Sequence, residues 1–234
     1  MRYKWLKKES AQTVIVIFSG WGFSYDVFDH LLQADSSDQY DVLFVSDYQV
    51  LDLDFPDITH YQDRYLLAWS FGVSAFATWL SMLSEDRQLF FSQLFARCVA
   101  INGSMFPVDR YQGIPEPIMQ KTIDTMSQAS FQHFSSRCFG RLNLPMQLTI
   151  DVDVKKHELQ KILERQHSSV AVWDVVWIAN HDKIFPPKNL SRAWNAYNKQ
   201  CQEPAIIQYI DAPHAPFQLW STWDDIMFKP VDDL

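Results

Sequence analysis

The chain has 234 residues, of which 47% are hydrophobic and 21% charged; that is enough apolar material for one large core and too much for a disordered polypeptide. Its formal net charge of -8 excludes a nucleic-acid binder, which needs a basic face for phosphates, and a domain lying on anionic lipid. Three widely spaced cysteines, Cys98, Cys138 and Cys201, exclude a disulfide framework and a zinc site, so no metal is expected.

The opening segment MRYKWLKKES lacks the apolar stretch of a secretory signal, and the first apolar run, Thr13 to Phe18, is too short to span a bilayer. A reducing, cytoplasmic setting without membrane attachment is expected. Residues 14–18, Val-Ile-Val-Ile-Phe, are continuously apolar and β-branched, the signature of a strand buried on both faces of a parallel sheet. A glycine-bearing turn follows, Ser19-Gly20-Trp21-Gly22, then a helical stretch around Tyr25 to Leu32. A second strand is expected at Tyr40 to Val45. The segment Asp35 to Asp63 is rich in Asp but lacks the spacing of a calcium loop, and a solvated acidic loop is the simpler expectation.

A third strand, Arg64 to Trp69, runs directly into a helix over Gly72 to Leu83, whose Val73, Phe76, Ala77 and Leu80 lie at helical spacing. Further strands are expected at Cys98 to Ile101, Val172 to Ile178 and Ala205 to Ile210. Strands alternating with helices indicate a parallel sheet covered on both faces. The rhythm breaks between Ser104 and about Val170, where helical patterns punctuated by Pro107, Pro115, Pro117 and Pro145 hold one expected strand, Gln147 to Val154. An insertion so placed forms a helical lid over the strand ends. One domain over residues 1–234 is expected, with the lid at approximately 105–170.

Four motifs carry chemistry. Ala68-Trp69-Ser70-Phe71-Gly72 places a serine on a sharp strand-to-helix turn between small residues, a nucleophile elbow with Ala in the first small position. The simpler alternative is a helix cap at Ser70. Gly20-Trp21-Gly22 follows the first buried strand, where this architecture finds its second oxyanion donor; the backbone N–H groups of Trp21 and Phe71 are the candidates. Asp182 follows a late strand in Asn180-His181-Asp182-Lys183, and His214 follows the last strand in Ala212-Pro213-His214-Ala215. The chain order Ser, Asp, His, each at a strand's C-terminal end, is that of the α/β-hydrolase fold. Ser70 is expected as nucleophile, His214 as general base and Asp182 as the acid that orients it. Asp174 and Asp211 are rivals: the first lies at the start of its strand, the second too close to His214 in sequence.

The segments FSGWGFS, AWSFG, NHDKIFPP and PHAPF resemble those of the pimeloyl-[acyl-carrier protein] methyl ester esterases of the BioG type, over nearly the whole chain. Ser19 stands where many hydrolases have His before Gly-Trp-Gly, and Ala68 and Ala179 stand where Gly is common. The resemblance implies the same triad, the same oxyanion donors, no cofactor, and removal of the methyl ester from pimeloyl-acyl-carrier protein methyl ester in biotin synthesis. It also implies an acidic acyl-carrier protein as partner. The insertion from Ser104 to Val170 carries eight Lys and Arg against seven Asp and Glu within an acidic chain. Lys155, Lys156, Lys161 and Arg165 are therefore expected to receive the carrier, with Arg137 and Arg141 next. A thioesterase, a small-ester carboxylesterase and a non-catalytic hydrolase-fold binding protein are the alternatives.

Overall fold

The computed structural model describes residues 1–34, 39–140, 149–168 and 170–230. Seven strands make one sheet: β1 (Arg2–Lys7), β2 (Thr13–Phe18), β3 (Tyr40–Ser46), β4 (Asp63–Trp69), β5 (Arg97–Ile101), β6 (Val175–Ala179) and β7 (Ile206–Ile210). Their spatial order is β1-β3-β2-β4-β5-β6-β7. All neighbours are parallel except β1 against β3. Eight helices are described: α1 (Asp29–Ala34), α2 (Phe71–Ser81), α3 (Glu85–Leu94), α4 (Glu116–Asp124), α5 (Gln128–Phe139), α6 (Val152–Glu164), α7 (Pro187–Asn198) and α8 (Trp223–Phe228). The architecture is that of an α/β hydrolase.

The continuous apolar run of β2 is explained by its central place. Val14, Val16 and Phe18 enter one core and Ile15 and Ile17 the other, all fully buried, because successive side chains of a strand point to opposite faces. The strand β1 has no such run. Its Arg2, Tyr3 and Lys4 are exposed at the sheet edge, where charge discourages further pairing, so apolar periodicity does not reveal it. The expected helix at Tyr25 to Leu32 is a 3₁₀ turn, Tyr25–Phe28, running into α1.

Two expectations change. Val152 to Val154 open α6 and are not a strand; Asp151 caps the helix, its carboxylate accepting the Val154 N–H at 3.1 Å. Gln147 and Leu148, the start of that supposed strand, lie outside the described residues. Asp41 is not a solvated loop residue. It is fully buried on β3, accepting from Glu9 N–H at 2.7 Å and the Tyr61 hydroxyl at 2.7 Å, so a satisfied carboxylate ties the base of the sheet together.

The chain leaves β2 toward β3 on one side, while β4 lies on the other. The C-terminal ends of β2 and β4 therefore flank the point where strand order reverses, the crevice in which open α/β sheets hold their ligands. Between β5 and β6 the chain makes α4, α5 and α6. Met119 and Ile123 of α4 and Leu159 and Ile162 of α6 share one buried cluster with Phe18, Trp21 and Phe71, so this helical segment packs directly onto the strand ends.

Candidate active site

Ser70 sits between β4 and α2 with φ +59° and ψ −124°. A positive φ is unusual for a residue with a side chain. It is over-determined here by the neighbours. The Ser70 N–H donates to the Ile101 carbonyl at 2.9 Å. A Cβ at residue 72 would lie 2.1 Å from the Phe18 carbonyl oxygen, and one at residue 103 would lie 2.3 Å from that of Ser70. Only glycine allows three backbones to meet so closely, which is the physical content of the small residue after the serine.

His214 follows β7 and is 1% exposed. Its Nδ1 lies 2.7 Å from Asp182 Oδ2 and its Nε2 2.9 Å from Ser70 Oγ. A carboxylate only accepts, so Nδ1 carries the proton and donates to Asp182; Nε2 is then the acceptor for the Ser70 hydroxyl. The other Asp182 oxygen accepts from the N–H groups of Ile184 at 2.7 Å and Phe185 at 2.9 Å. Three donors hold the acid, and the Phe185 ring lies nearly parallel to the imidazole.

The rival acids are elsewhere. Asp174 accepts the Cys98 N–H at 2.6 Å, where β5 begins. Asp211 is exposed and pairs with His181 at 2.6 Å. That pair shapes the loop beside Asp182 and does not reach the serine.

Two further groups hold the backbone at His214. The His214 carbonyl accepts from Asn102 Nδ2 at 2.8 Å and from the Trp69 indole at 3.0 Å. Asn102 also accepts the Ala179 N–H at 2.7 Å and has φ +46°. It thus links the ends of β5 and β6 to the histidine's backbone. The available signal was a polar Asn-Gly pair directly after a buried strand on the functional edge.

Trp21 and Phe71, the latter next to Ser70 in the chain, line one apolar cleft with Ile114, Ile118, Met119, Phe134, Leu159 and Ile184. Phe71 is the first residue of α2, where a helix leaves its N–H groups without intrahelical partners. The cleft is narrow, about 60 Å³, and Ser70 is 3% exposed.

The basic residues divide. Lys155 donates to Glu158 at 2.8 Å. Arg165 donates to the Tyr48 and Gln49 carbonyls at 2.7 and 3.2 Å. Lys161 is half-buried and pairs with Glu164 at 3.0 Å. The expected patch of Lys155, Lys156, Lys161 and Arg165 is therefore not a set of four outward cations: two of its members are spent on the interior. Arg141 lies outside the described residues. Arg137 is exposed on α5 and lines the cleft, and so does Lys183, on the loop after β6. Lys183 lies outside the insertion, so the insertion's charge balance does not reveal it.

Among the described residues no helix is long and apolar enough to cross a membrane. Residues 1–226 match the family model described as pimeloyl-ACP methyl esterase BioG. A Bacteroides fragilis protein named malonyl-[acyl-carrier protein] O-methyltransferase is 34% identical over 218 residues, covering 89% of this chain. This chain spans only 40% of that relative's length. The crystal structure of BioG from Haemophilus influenzae superposes with a TM-score of 0.77 at 25% identity, covering 97% of this chain and 99% of that one. An esterase from Exiguobacterium antarcticum shares the fold, with a TM-score of 0.65 at 12% identity over 91% of this chain and 87% of its own.

Proposed function

The chain belongs to the pimeloyl-ACP methyl esterase BioG family, and from that membership we propose that it is a serine carboxylesterase acting on pimeloyl-acyl-carrier protein methyl ester. It releases methanol and the free ω-carboxylate in a cytoplasmic stage of biotin synthesis and uses no cofactor. The observation that carries the mechanism is the contact of His214 with both Asp182 and Ser70, at 2.7 and 2.9 Å.

His214 Nε2 takes the proton as Ser70 Oγ bonds to the ester carbonyl carbon, and the Trp21 and Phe71 N–H groups hold the oxyanion. The C–OCH₃ bond then breaks, with His214 returning the proton to the departing methoxide as methanol. Water, deprotonated by His214, attacks the acyl-serine. The acyl C–Oγ bond breaks, and Ser70 recovers its proton from the imidazolium. Asp182 orients the imidazole and stabilises its charged form throughout. The segment between β5 and β6 serves as the lid, at approximately residues 105–170. The acidic carrier docks at the cleft mouth on Arg137 and Lys183, with Arg141 beyond the described residues as a further candidate.

The relative named a methyltransferase favours no methyl transfer by this chain. This chain spans only 40% of that relative's length, so the name does not carry over whole.

The test is conversion of pimeloyl-acyl-carrier protein methyl ester to the free acid, followed by mass spectrometry, together with labelling by a fluorophosphonate. The wild type should convert and be labelled. Ser70→Ala should be unlabelled, with kcat lower by about 10⁶-fold. A wild type that leaves the carrier-linked ester intact, or a Ser70→Ala variant that hydrolyses it, refutes the proposal.

A further inference from the structure

The backbone N–H of Trp21 can stabilise an oxyanion only if its peptide plane is held still. Its own sequence does not hold it. Gly20 and Gly22 flank it, and glycine torsions are the softest in the chain; Gly22 has φ +86°. The restraint must come from outside the loop, and hydrogen bonds on both sides of Gly20 provide it.

On the N-terminal side, the Ser19 carbonyl accepts from the Tyr48 hydroxyl at 2.7 Å. Tyr48 lies just beyond β3 and is 1% exposed. Burial, and after it the Glu158 carboxylate, holds its phenol well above the usual range, so the hydroxyl remains a donor. The Tyr48 N–H donates to Glu158 Oε1 at 2.9 Å. The other oxygen of Glu158 accepts from Lys155 Nζ at 2.8 Å. On the C-terminal side, the Trp21 indole N–H donates to the Lys155 carbonyl at 3.3 Å. The contacts form a closed ring: Ser19, Tyr48, Glu158, Lys155, Trp21 and back along the loop. Arg165 clamps the Tyr48 carbonyl from the end of α6 at 2.7 Å.

Glu158 is 1% exposed. A buried carboxylate carries a desolvation penalty that an apolar side chain of the same volume would avoid, so its presence on α6 calls for a reason beyond packing. Its two partners lead to the two residues that flank Gly20.

Resting on the serine-hydrolase proposal above, we propose that Tyr48 and Glu158 are positioning residues for the oxyanion loop, through which α6 sets the aim of the Trp21 N–H. They act on the transition state without touching substrate, and seating of α6 becomes a condition of catalysis as well as of stability.

The test uses the whole 234-residue chain, p-nitrophenyl butyrate as substrate and a trifluoromethyl ketone, whose hemiketal adduct with a serine places a charged oxygen in the oxyanion hole. Tyr48→Phe removes one hydroxyl. It should lower kcat by about ten- to a hundredfold, below the about 10²–10³-fold cost of deleting a donor outright, with KM little changed. Affinity for the trifluoromethyl ketone should weaken in proportion to kcat. Glu158→Gln, which keeps the side chain's size, should shift the same two quantities in the same direction. Combining Tyr48→Phe with Trp21→Phe, which removes the indole donor and keeps the backbone N–H, should cost less than the product of the single effects, because one ring is broken once. Folded Tyr48→Phe and Glu158→Gln proteins with wild-type kcat and ketone affinity overturn the proposal. So does a loss confined to KM or to thermal stability, or a strictly multiplicative double variant. If Tyr48→Phe does not fold, Glu158→Gln and Trp21→Phe carry the same comparison. Failure of the hydrolase proposal itself looks different: the wild type is then inert toward ester and fluorophosphonate alike.

Discussion

The serine centre and the helix α6 both place charged groups against the interior, yet the two differ in what their sequences disclose. At the serine centre each side chain sits where a buried strand gives out: Ser70 after β4, Asp182 after β6, His214 after β7. Strand ends are legible as the ends of apolar runs, and the fold allows few ways to join them. On α6 the charges sit on a helix, where composition states that cations exist but not which way they point. Lys155 and Arg165 turn inward to Glu158 and to backbone carbonyls. Backbone-fixed position can be read from order; side-chain direction on a helix needs the partner.

The comparison is sharpest at the acids. Asp182→Asn should lower kcat by about 10⁴-fold, since an amide disturbs the imidazole's tautomer while leaving the geometry in place. Asp211→Asn, an exposed neighbour on the same edge, should change kcat by no more than about twofold. Steady-state kinetics with a soluble ester separates the two, and an inverted ranking would move the acid to Asp211.

At α6 the expected readout is stability. Lys155→Met leaves Glu158 buried without its ammonium partner. Because Lys155 is partly exposed, the loss should fall somewhat below the about 3–5 kcal/mol for breaking a buried pair, measured by urea denaturation. Removing an outward-facing cation would cost almost nothing, so a Lys155→Met protein of wild-type stability would restore Lys155 to the surface.

His167, three residues past the end of α6, extends the inward pattern. Its Nε2 lies 3.0 Å from the Ile162 carbonyl and its Nδ1 is buried without a partner. Burial lowers its pKa from 6.5 to about 4. The folded state therefore refuses a proton that the unfolded chain accepts. The neutral imidazole's contribution is complete above about pH 6.5 and is lost as pH falls toward about 4, reaching about 3 kcal/mol at most. His167→Leu should flatten the dependence of Tm on pH across that window. Parallel curves for the two proteins would show that His167 binds its proton alike in the folded and unfolded chain.

The smallest effect belongs to the outward cations. Arg137→Glu and Lys183→Glu should raise KM for the carrier-linked ester several-fold more than KM for a small neutral ester, and added salt should narrow the gap. An equal rise for both substrates would place these residues in the cleft's packing and not in carrier docking.

Most of the parallel sheet was legible because its strands are buried on both faces. The edge strand β1 was not, because its exposed Arg2, Tyr3 and Lys4 carry no apolar signature. As candidates, Trp21, Phe71, Ser70, Asp182 and His214 could be named from motif order. Asn102, Tyr48 and Glu158 could not. Each works through a backbone atom more than a hundred residues away or on another element, and a backbone atom leaves no mark in the sequence of its partner.

The left-handed backbone of Ser70 has a consequence for selection. A side chain in that conformation costs about 1–3 kcal/mol, held by the rest of the fold, and glycine would adopt it freely. Glycine at position 70 would relieve that strain and, on the proposed mechanism, could not attack an ester. Random variants screened for heat tolerance alone should drift toward glycine there and become sturdy, inert proteins, whereas a screen that also demands turnover must find its stability elsewhere.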